Sequence, residues 1–437
     1  MMDKLPFKEF KETLNKESFY KKMGKVSQVI GLTIEVEGIK AFVGELCEII
    51  LRDGENKVSA EVVGFKEDKV LLMALGNLEG VGPECVVIPK NKSLKVKVGD
   101  DLLGKTLDGL GNPIDDDELL INKKYSVHRE PPNPLKRKRI DKVMSTGVKA
   151  IDGMLTCGEG QRVGIFAGSG VGKSTLLGMI SRYSESDVNV IALIGERGRE
   201  VLDFIEKDLG KDGFKKSVVI CATSDQPALV RLKAAFVATA VAEYFRDQGK
   251  KVMLMMDSVT RFAMAQREVG LAIGEPPTTK GYTPSVFALL PKLLERSGTS
   301  EKGSITAFYT VLVDGDDMNE PIADAVRGIL DGHIVLSRKL ASQNHFPAID
   351  VQESISRLMK EIVTDKQYSM SGKMRDVLAT YEKSEDLINV GAYVKGTNPK
   401  VDEAVDLIEP INNFLIQDTN DHLKFDETFE KMKEILE

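Results

Sequence analysis

Apolar and polar positions follow four different patterns along the chain, which predicts four structural regions. The predicted regions are residues 1–22, 23–95, 96–365 and 366–437. The first carries Phe7, Phe10 and Leu14 at the 3-then-4 spacing of one helical face, so we predict a short amphipathic arm. A helix of this length is marginal alone in water, and we expect it to pack on the body or to bind a partner.

The other three regions differ in the period of their apolar residues. The second region has short strand-like runs separated by turns, which predicts a small closed β-barrel. Its predicted strands are residues 25–32, 41–51, 58–65, 70–75 and 84–89. The third opens with a turn-rich connector at 96–140 and then alternates apolar strands with helices, the pattern of a parallel sheet with crossovers. The fourth is predicted to be helical, and its last helix has one apolar face formed by Phe425, Phe429, Met432 and Leu436.

A glycine-rich loop between a predicted strand and a predicted helix carries the clearest chemistry. It comprises Ala167, Gly168, Ser169, Gly170, Val171, Gly172, Lys173, Ser174 and Thr175. Glycines let backbone N–H groups turn toward phosphate oxygens, Lys173 supplies positive charge for the β- and γ-phosphates, and the Ser174 hydroxyl can bind Mg²⁺. The N-terminus of the following helix adds partial positive charge. We interpret Ala167, where the motif has glycine, as a variant of this phosphate-binding loop.

Two predicted strands end in carboxylates. A run of five apolar residues before Asp257 is typical of a central parallel strand, so Asp257 is expected at the carboxyl end of the sheet, where it can hold Mg²⁺ through water. Another apolar strand leads to Glu196, whose carboxylate there could orient and polarise an attacking water. The alternative for Glu196 is a surface ion pair with Arg197 or Arg199.

An aromatic residue and an arginine complete the candidate site. Phe346 offers a face on which adenine can stack, and Arg357 follows shortly after it. An arginine presented to the γ-phosphate of a neighbouring subunit would stabilise charge that develops during hydrolysis. A structural salt bridge is the alternative for Arg357.

With these residues in view, the chain resembles the catalytic subunits of rotary ATPases and, more closely, the ATPases of type III protein export, above all the flagellar export ATPase. The matching motifs extend over nearly the whole chain, at residues 107–115, 167–175, 195–200, 257–263, 274–282, 343–351 and 391–396. The resemblance implies an α/β protein with an N-terminal β-barrel, a central RecA-like parallel-sheet domain and a C-terminal helical domain. It also implies a homohexameric ring that hydrolyses ATP with Mg²⁺ at subunit interfaces.

The resemblance further assigns roles by matching position. Lys173, Ser174 and Asp257 would hold phosphate and Mg²⁺, and Glu196 would be the catalytic carboxylate. Arg357 would be the arginine finger from the next subunit.

The remaining assignments concern the γ-phosphate and the base. Arg197 and Arg261 would support the catalytic carboxylate near the γ-phosphate. Phe346 falls where the family stacks adenine, and the second adenine wall would be Tyr393 or Val394.

Partners and location are implied in the same way. The N-terminal arm resembles the segment that binds the stator-like regulatory protein of the export apparatus. The C-terminal domain is where family members meet the central stalk protein and substrate–chaperone complexes. The resemblance places the ring in the cytoplasm at the inner-membrane export gate, where ATP turnover energises the export of flagellar proteins.

Four other functions remain as alternatives. A virulence secretion (injectisome) ATPase shares the mechanism. The catalytic subunit of a rotary ATP synthase needs non-identical partners, whereas this chain carries its own candidate finger, Arg357. A hexameric RNA translocase would need an aromatic-rich basic groove, but the barrel region has only Phe42 and Phe65 as aromatics. A purely structural nucleotide-binding subunit is disfavoured by the carboxylate at Glu196.

Composition and charge exclude several further classes. The 437 residues are 42% apolar and 29% charged, as in soluble proteins of about three domains. No apolar run approaches the roughly 18 residues of a membrane span, and the N-terminus lacks the apolar core of a signal peptide. Four scattered cysteines and four histidines predict neither a disulfide framework nor a metal cluster.

The charges are unevenly distributed along the chain. The net charge is −7, and residues 401–437 hold eleven acidic residues against three lysines. This acidic end either docks a basic partner or forms a solvated helical face. The basic run at 136–139 could contact nucleic acid, but the prolines beside it favour an exposed connector. We therefore expect no nucleic-acid partner.

Overall fold

The computed structural model of the chain describes residues 23–114, 121–313, 315 and 317–437. The predicted arm at residues 1–22 lies outside them. The described chain divides into two compact units, of which the first comprises residues 23–94 with Ala272–Gly274 and the second the remainder from Lys95 onward. No helix in these described ranges is long and apolar enough to cross a membrane.

The first unit contains a closed barrel, as predicted. Its strands are β1 (Gly24–Ile30), β2 (Thr33–Glu37), β3 (Glu45–Ile50), β4 (Lys57–Lys66), β5 (Lys69–Ala74) and β6 (Val86–Ser93). They pair antiparallel in the order β1-β2-β5-β4-β3-β6. Alternate residues point inward, so Cys47 and Ile49 of β3 are buried in the apolar core while their neighbours lie outside.

Strand β2 was not predicted from the sequence. The chain turns at Gly31, whose φ of 56° is in the left-handed region, and re-enters the barrel two residues later. Ile34 and Val36 of β2 are fully buried, and they alternate with Glu35 and Glu37 as in the other barrel strands. Lys69 donates a hydrogen bond to Glu35 at 2.9 Å, and this contact holds the pKa of the Glu35 carboxyl below its usual range. The strand was missed because its alternating pattern extends over only five residues, and the cross-strand ion pair is one of the contacts that stabilise it.

The second unit is built on a nine-stranded sheet. Its strands are β8 (Lys105–Asp108), β10 (Arg162–Ala167), β11 (Val188–Ile194), β12 (Ser217–Ala222), β13 (Lys251–Asp257), β14 (Gly298–Thr299), β15 (Ser304–Leu312), β16 (Gly332–Leu336) and β17 (Ile349–Ser356). The order is β17-β16-β10-β15-β13-β11-β12-β8, with β14 beside β15. All neighbours along this path are parallel except β16 and β17. A separate two-stranded ribbon joins β7 (Lys95–Lys97) to β9 (Lys124–Ser126).

Helices flank this sheet and form the end of the chain. Within the described residues they are α1 (Lys149–Met154), α2 (Lys173–Tyr183), α3 (Gly198–Asp203), α4 (Gly210–Lys215), α5 (Ala228–Asp247), α6 (Val259–Ala272), α7 (Pro284–Leu294), α8 (Pro321–Ile329), α9 (Arg338–Ser342), α10 (Met359–Ile362), α11 (Asp365–Asn389), α12 (Pro399–Leu415) and α13 (Phe425–Leu436). The predicted apolar face of α13 is confirmed, because Phe429 and Met432 are buried in the core of this unit. Gly153 of α1 leaves room for Met432, whose sulfur would lie 2.7 Å from a Cβ there.

The sheet determines where polar side chains collect. Strands β10, β15, β13 and β11 are adjacent and parallel, so their carboxyl ends share one edge. Leu193 of β11 lies beside Asp257 of β13 in the register, and the loop after β10 leads into α2. The segments after these strands therefore meet at one place, as predicted from the sequence.

Candidate active site

The phosphate-binding loop joins β10 to α2 at the carboxyl edge of the sheet. Gly170 and Gly172 have φ values of 78° and 88°, which favour glycine. Among the described residues, no side chain caps the N-terminus of α2, so its first N–H groups are available to an anion. The loop lines a cavity of about 520 Å³, whereas Val171 is buried beneath it. The geometry is that of an anion-binding cradle.

Lys173 brings the loop into contact with two strand ends. Its ammonium forms a short ion pair with Asp257 Oδ1, and it lies 3.8 Å from Glu196 Oε1. The Thr310 hydroxyl of β15 also donates to Asp257 Oδ1, at 2.7 Å. The structure thus unites three of the predicted residues and adds Thr310, a buried threonine of β15.

The donor set fits Mg²⁺. Lys173 and Thr310 both contact Asp257 Oδ1, and neither of them contacts the second carboxylate oxygen, Oδ2. Ser174 lines the same cavity with its hydroxyl side chain. Mg²⁺ usually binds one or two protein oxygens together with waters and substrate phosphates, and a dedicated cluster is not required. In keeping with this, the described residues contain no cluster of three or more His, Cys, Asp or Glu side chains suited to a metal.

Glu196 has the electrostatic environment of a general base. Burial, together with the nearby Asp257 carboxylate, raises the pKa of Glu196 to about 7, against the opposing charge of Lys173. A base is most effective when its pKa lies near the working pH. The carboxyl group therefore changes protonation state in the range where an ATPase operates.

Glu200 belongs to the motif at residues 195–200 but was not predicted as a site residue. It lies four residues after Glu196, in the first turn of α3, lines the same cavity and shares a hydrogen bond with Glu196. That hydrogen bond lowers the pKa of Glu200 and helps to raise that of Glu196. The spacing of four residues was the available signal, but the sequence does not show that both carboxylates line one cavity.

The two supporting arginines differ in their surroundings. Arg261 lines the cavity from the first turn of α6, and its Nε is buried without a hydrogen-bond partner among the described residues. Gly195 allows this approach, because a Cβ there would lie 3.0 Å from the Arg261 Cβ and its φ is 70°. Arg197 is exposed at the rim and forms an ion pair with Glu200 at 3.0 Å. The alternative ion pair of Glu196 with Arg197 or Arg199 is therefore absent from the described contacts.

A second cavity, of about 440 Å³, adjoins the loop beside Phe346. The ring of Phe346 is 39% exposed, and a Cβ on Gly172 would lie 3.6 Å from it. Thr175, Leu176 and Met179 form the α2 side of this cavity. An exposed aromatic face beside a phosphate cradle is suited to a nucleotide base.

The residues predicted for the second adenine wall do not line the Phe346 cavity. Tyr393 does not line the Phe346 cavity; its hydroxyl donates to Asp402 at 2.8 Å within the turn between α11 and α12. Val394 is 63% exposed on the same turn. The opposite wall is instead formed by residues 416–419, which follow α12. The motif at 391–396 forms a turn, and this turn does not reach the Phe346 cavity.

Arg357 lies at the opposite edge of the sheet. It follows β17, which runs antiparallel and ends beside Gly332, the first residue of β16. Its Nη2 donates to the Arg327 carbonyl at 3.3 Å, and its backbone N–H to the Asp331 carbonyl at 3.1 Å. Arg357 is thus outside the cavity of its own chain, and the alternative of a salt bridge has no counterpart among the described ion pairs.

The raised pKa of Glu196 gives a pH prediction. Because a general base acts when deprotonated, kcat/KM for ATP in excess Mg²⁺ should rise with pH and level off above about 7. Glu200→Gln removes a group that raises this pKa, so the midpoint should move to lower pH. Asp212→Asn, an exposed acid elsewhere, should leave it unchanged. A flat profile, or a midpoint unmoved by Glu200→Gln, would contradict this role of the pair.

Comparison with known proteins gives the family. Residues 147–356 match the nucleotide-binding domain of the ATP synthase alpha/beta family, and residues 26–91 match its β-barrel domain. Residues 363–434 match the C-terminal domain of the type III secretion ATPase EscN.

Individual relatives cover nearly the whole chain. The Flagellum-specific ATP synthase of Bacillus subtilis is 58% identical over 94% of each chain. The Type 3 secretion system ATPase of Xanthomonas euvesicatoria is 51% identical over 95% of this chain and 94% of that protein. The structure of the assembled ATPase EscN from enteropathogenic E. coli covers 95% of this chain and 100% of that one, at 47% identity and a TM-score of 0.90. The chain therefore belongs to the ATP synthase alpha/beta family, among its flagellum-specific and type III secretion ATPases.

Proposed function

We propose that this ATPase works as a Mg²⁺-dependent homohexameric ring that energises type III export of flagellar proteins. The observation that carries the proposal is the meeting of Lys173, Asp257 and Glu196 at one edge of the sheet. A cation for phosphate, a carboxylate for the metal and a carboxylate for water are the parts that phosphoryl transfer to water requires.

Each side chain has a separate task in this proposal. Lys173 would release Asp257 and bind the β- and γ-phosphates with its ammonium, and Asp257 and Ser174 would hold Mg²⁺. Bound Mg²⁺ supplies positive charge that neutralises the phosphate oxygens. Glu196 orients and polarises the attacking water, and its buried position strengthens this interaction.

The remaining groups complete the site. Arg261 and Arg197 lie beside the cavity and support the γ-phosphate end. Phe346 stacks on adenine. Arg357 serves the adjacent subunit, a role favoured by its place at the far edge of its own sheet.

Partners follow from the relatives and from the sequence. EscN is known as an assembled ATPase and in complex with its central stalk EscO. We extend the ring and a stalk contact through the C-terminal helices to this chain. Residues 1–22 would bind the stator-like regulatory protein, and the C-terminal helices would also receive substrate–chaperone complexes. The ring would lie in the cytoplasm at the membrane-embedded export gate.

A virulence secretion system is the second candidate. It is favoured by the 51% identity to the Xanthomonas type 3 secretion system ATPase, only slightly below that of the flagellar relative. Both candidates use the same site and differ in the proteins that are exported.

The test measures ATP hydrolysis and molecular mass over a range of protein concentrations. Specific activity should rise as the hexamer appears, because each complete site needs two subunits. Lys173→Ala should form the same assemblies without activity. Full specific activity at concentrations where only monomer is present would contradict interface sites, and no activity at any concentration would contradict the proposed function.

A further inference from the structure

The wall opposite Phe346 is a short connection between two C-terminal helices. Residues 416–419, here called the cavity wall, follow α12 and precede α13. The wall therefore belongs to the C-terminal helices by sequence and to the nucleotide site by position. The contacts of the wall therefore decide whether the C-terminal helices can move independently of the nucleotide site.

A buried glutamine attaches the wall to the start of α1, where the Lys149 ammonium also donates to the Ile416 carbonyl at 2.7 Å. Gln417 is 4% exposed, and its Oε1 accepts a hydrogen bond from the Lys149 N–H at 2.8 Å. Its Nε2 donates to the carbonyls of Gly147 and Asp421, each at 2.8 Å. Both amide protons and the amide oxygen are thus engaged, which a buried amide requires.

The same residue also holds the aromatic platform. The backbone N–H of Gln417 donates to the Phe346 carbonyl at 2.9 Å. Because the side chain fixes the backbone of residue 417, it also fixes this contact. The position of the Phe346 ring beside Gly172 therefore depends on an anchor in the opposite wall of the cavity.

The wall has a second attachment, to the helix that follows the phosphate-binding loop. The Thr419 carbonyl accepts hydrogen bonds from Arg182 at 2.6 Å and from the Tyr183 hydroxyl at 3.1 Å, at the end of α2. His422 stacks on the Tyr183 ring with centroids 4.5 Å apart. The wall consequently spans from the platform to the far end of α2.

We propose that Gln417 is a positioning residue for base binding, which holds the cavity wall and Phe346 at the correct separation and thereby links base binding to the position of α12 and α13. The inference rests on the proposed function, because it takes Phe346 as the adenine platform. A base that stacks on Phe346 favours the seated wall, and by reciprocity a displaced wall weakens base binding.

The decisive experiment compares a ligand that has a base with one that lacks it. Gln417→Leu keeps the size of the side chain but leaves the Gly147 carbonyl and the Lys149 N–H without partners. The competitive inhibition constant of MgADP should rise about tenfold, the effect of losing a buried hydrogen-bonded anchor. That of Mg-pyrophosphate, which occupies only the loop, should stay within about twofold, as should kcat.

Controls separate positioning from a general loss of structure. Gln343→Leu, the same change at an exposed glutamine near Phe346, should alter neither constant. If Gln417→Leu does not fold, Gln417→Asn should show the same selective loss, since its amide is too short by one methylene group. Equal changes for both inhibitors, or no change for either, would overturn the proposal.

Two further measurements make the outcome independent of turnover. ADP, but not pyrophosphate, should slow amide hydrogen exchange at residues 416–421; equal protection by both would count against the link. The chain has no tryptophan, so Phe346→Trp places a single tryptophan in the cavity, whose emission can be excited selectively. If its fluorescence does not respond to ADP in an active enzyme, the proposed adenine platform fails. If it responds and Gln417→Leu leaves ADP affinity unchanged, only the positioning role of Gln417 fails.

Discussion

Glu196→Gln should leave ATP bound but reduce its turnover by at least about 100-fold, the usual contribution of a general base. The glutamine keeps the size of the side chain and can still form hydrogen bonds, so the cavity should retain its shape. It cannot accept a proton or polarise water as a carboxylate does. Steady-state hydrolysis measures the loss, and calorimetry with ATP measures the binding.

The expected separation of binding from chemistry can fail in two ways. If ATP binding is also lost, Glu196 is needed for the structure of the loop and its 3.8 Å approach to Lys173 is structural. If turnover stays within a few-fold of normal, another group orients the water. Glu206→Gln, the same change at an exposed glutamate of the neighbouring π-helical turn, should leave both binding and turnover unchanged.

Arg357→Ala should reduce turnover about 1,000-fold, within the range reported for arginine fingers. The guanidinium lies at the sheet edge remote from its own phosphate-binding loop, so its loss should leave ATP binding to an isolated subunit unchanged. Activity in assembled rings and ATP affinity in monomers are the two measurements. Arg52→Ala, at an exposed barrel arginine, is the matched control.

Mixed rings test whether the arginine acts across the interface. Lys173→Ala subunits keep their finger, and Arg357→Ala subunits keep their loop, so each variant alone should be inactive. In a mixture, some interfaces combine an intact loop with an intact finger, and activity should return partially. If mixed rings form but remain inactive at every ratio, the role in trans is wrong.

Local sequence was sufficient to predict the parts of the site that lie on single strand ends. The continuous apolar runs before Glu196 and Asp257 identified buried parallel strands, and parallel strands bring their carboxyl ends to one edge. The glycine pattern of the loop identified the cradle because that pattern, too, lies within one short segment. The barrel, the parallel sheet and the helical end were predictable because each has its own apolar period.

The features that were missed depend on distant partners. Strand β2 is stabilised by pairing with β1 and β5 and by the contact of Glu35 with Lys69, none of which local periodicity encodes. The edge strand β8 lies in what reads as a connector and becomes a strand because β12 accepts it. The positions of Tyr393 and Gln417 relative to the Phe346 cavity likewise depend on long-range packing, which local sequence does not show. A motif residue proved remote from the cavity, while an inconspicuous glutamine proved to adjoin it.

The placement of the loop and Arg357 at opposite edges gives each subunit a direction. Identical subunits that join unlike faces assemble head to tail, and such an assembly either closes or continues as a filament. Under the proposed role of Arg357 in trans, every subunit added to an open arc would complete one site, and the two ends would always carry one loop without an arginine finger and one finger without a loop. Closure of the ring would bring this loop and this finger together in one further site. The last subunit to join therefore adds two sites, whereas each earlier addition added one.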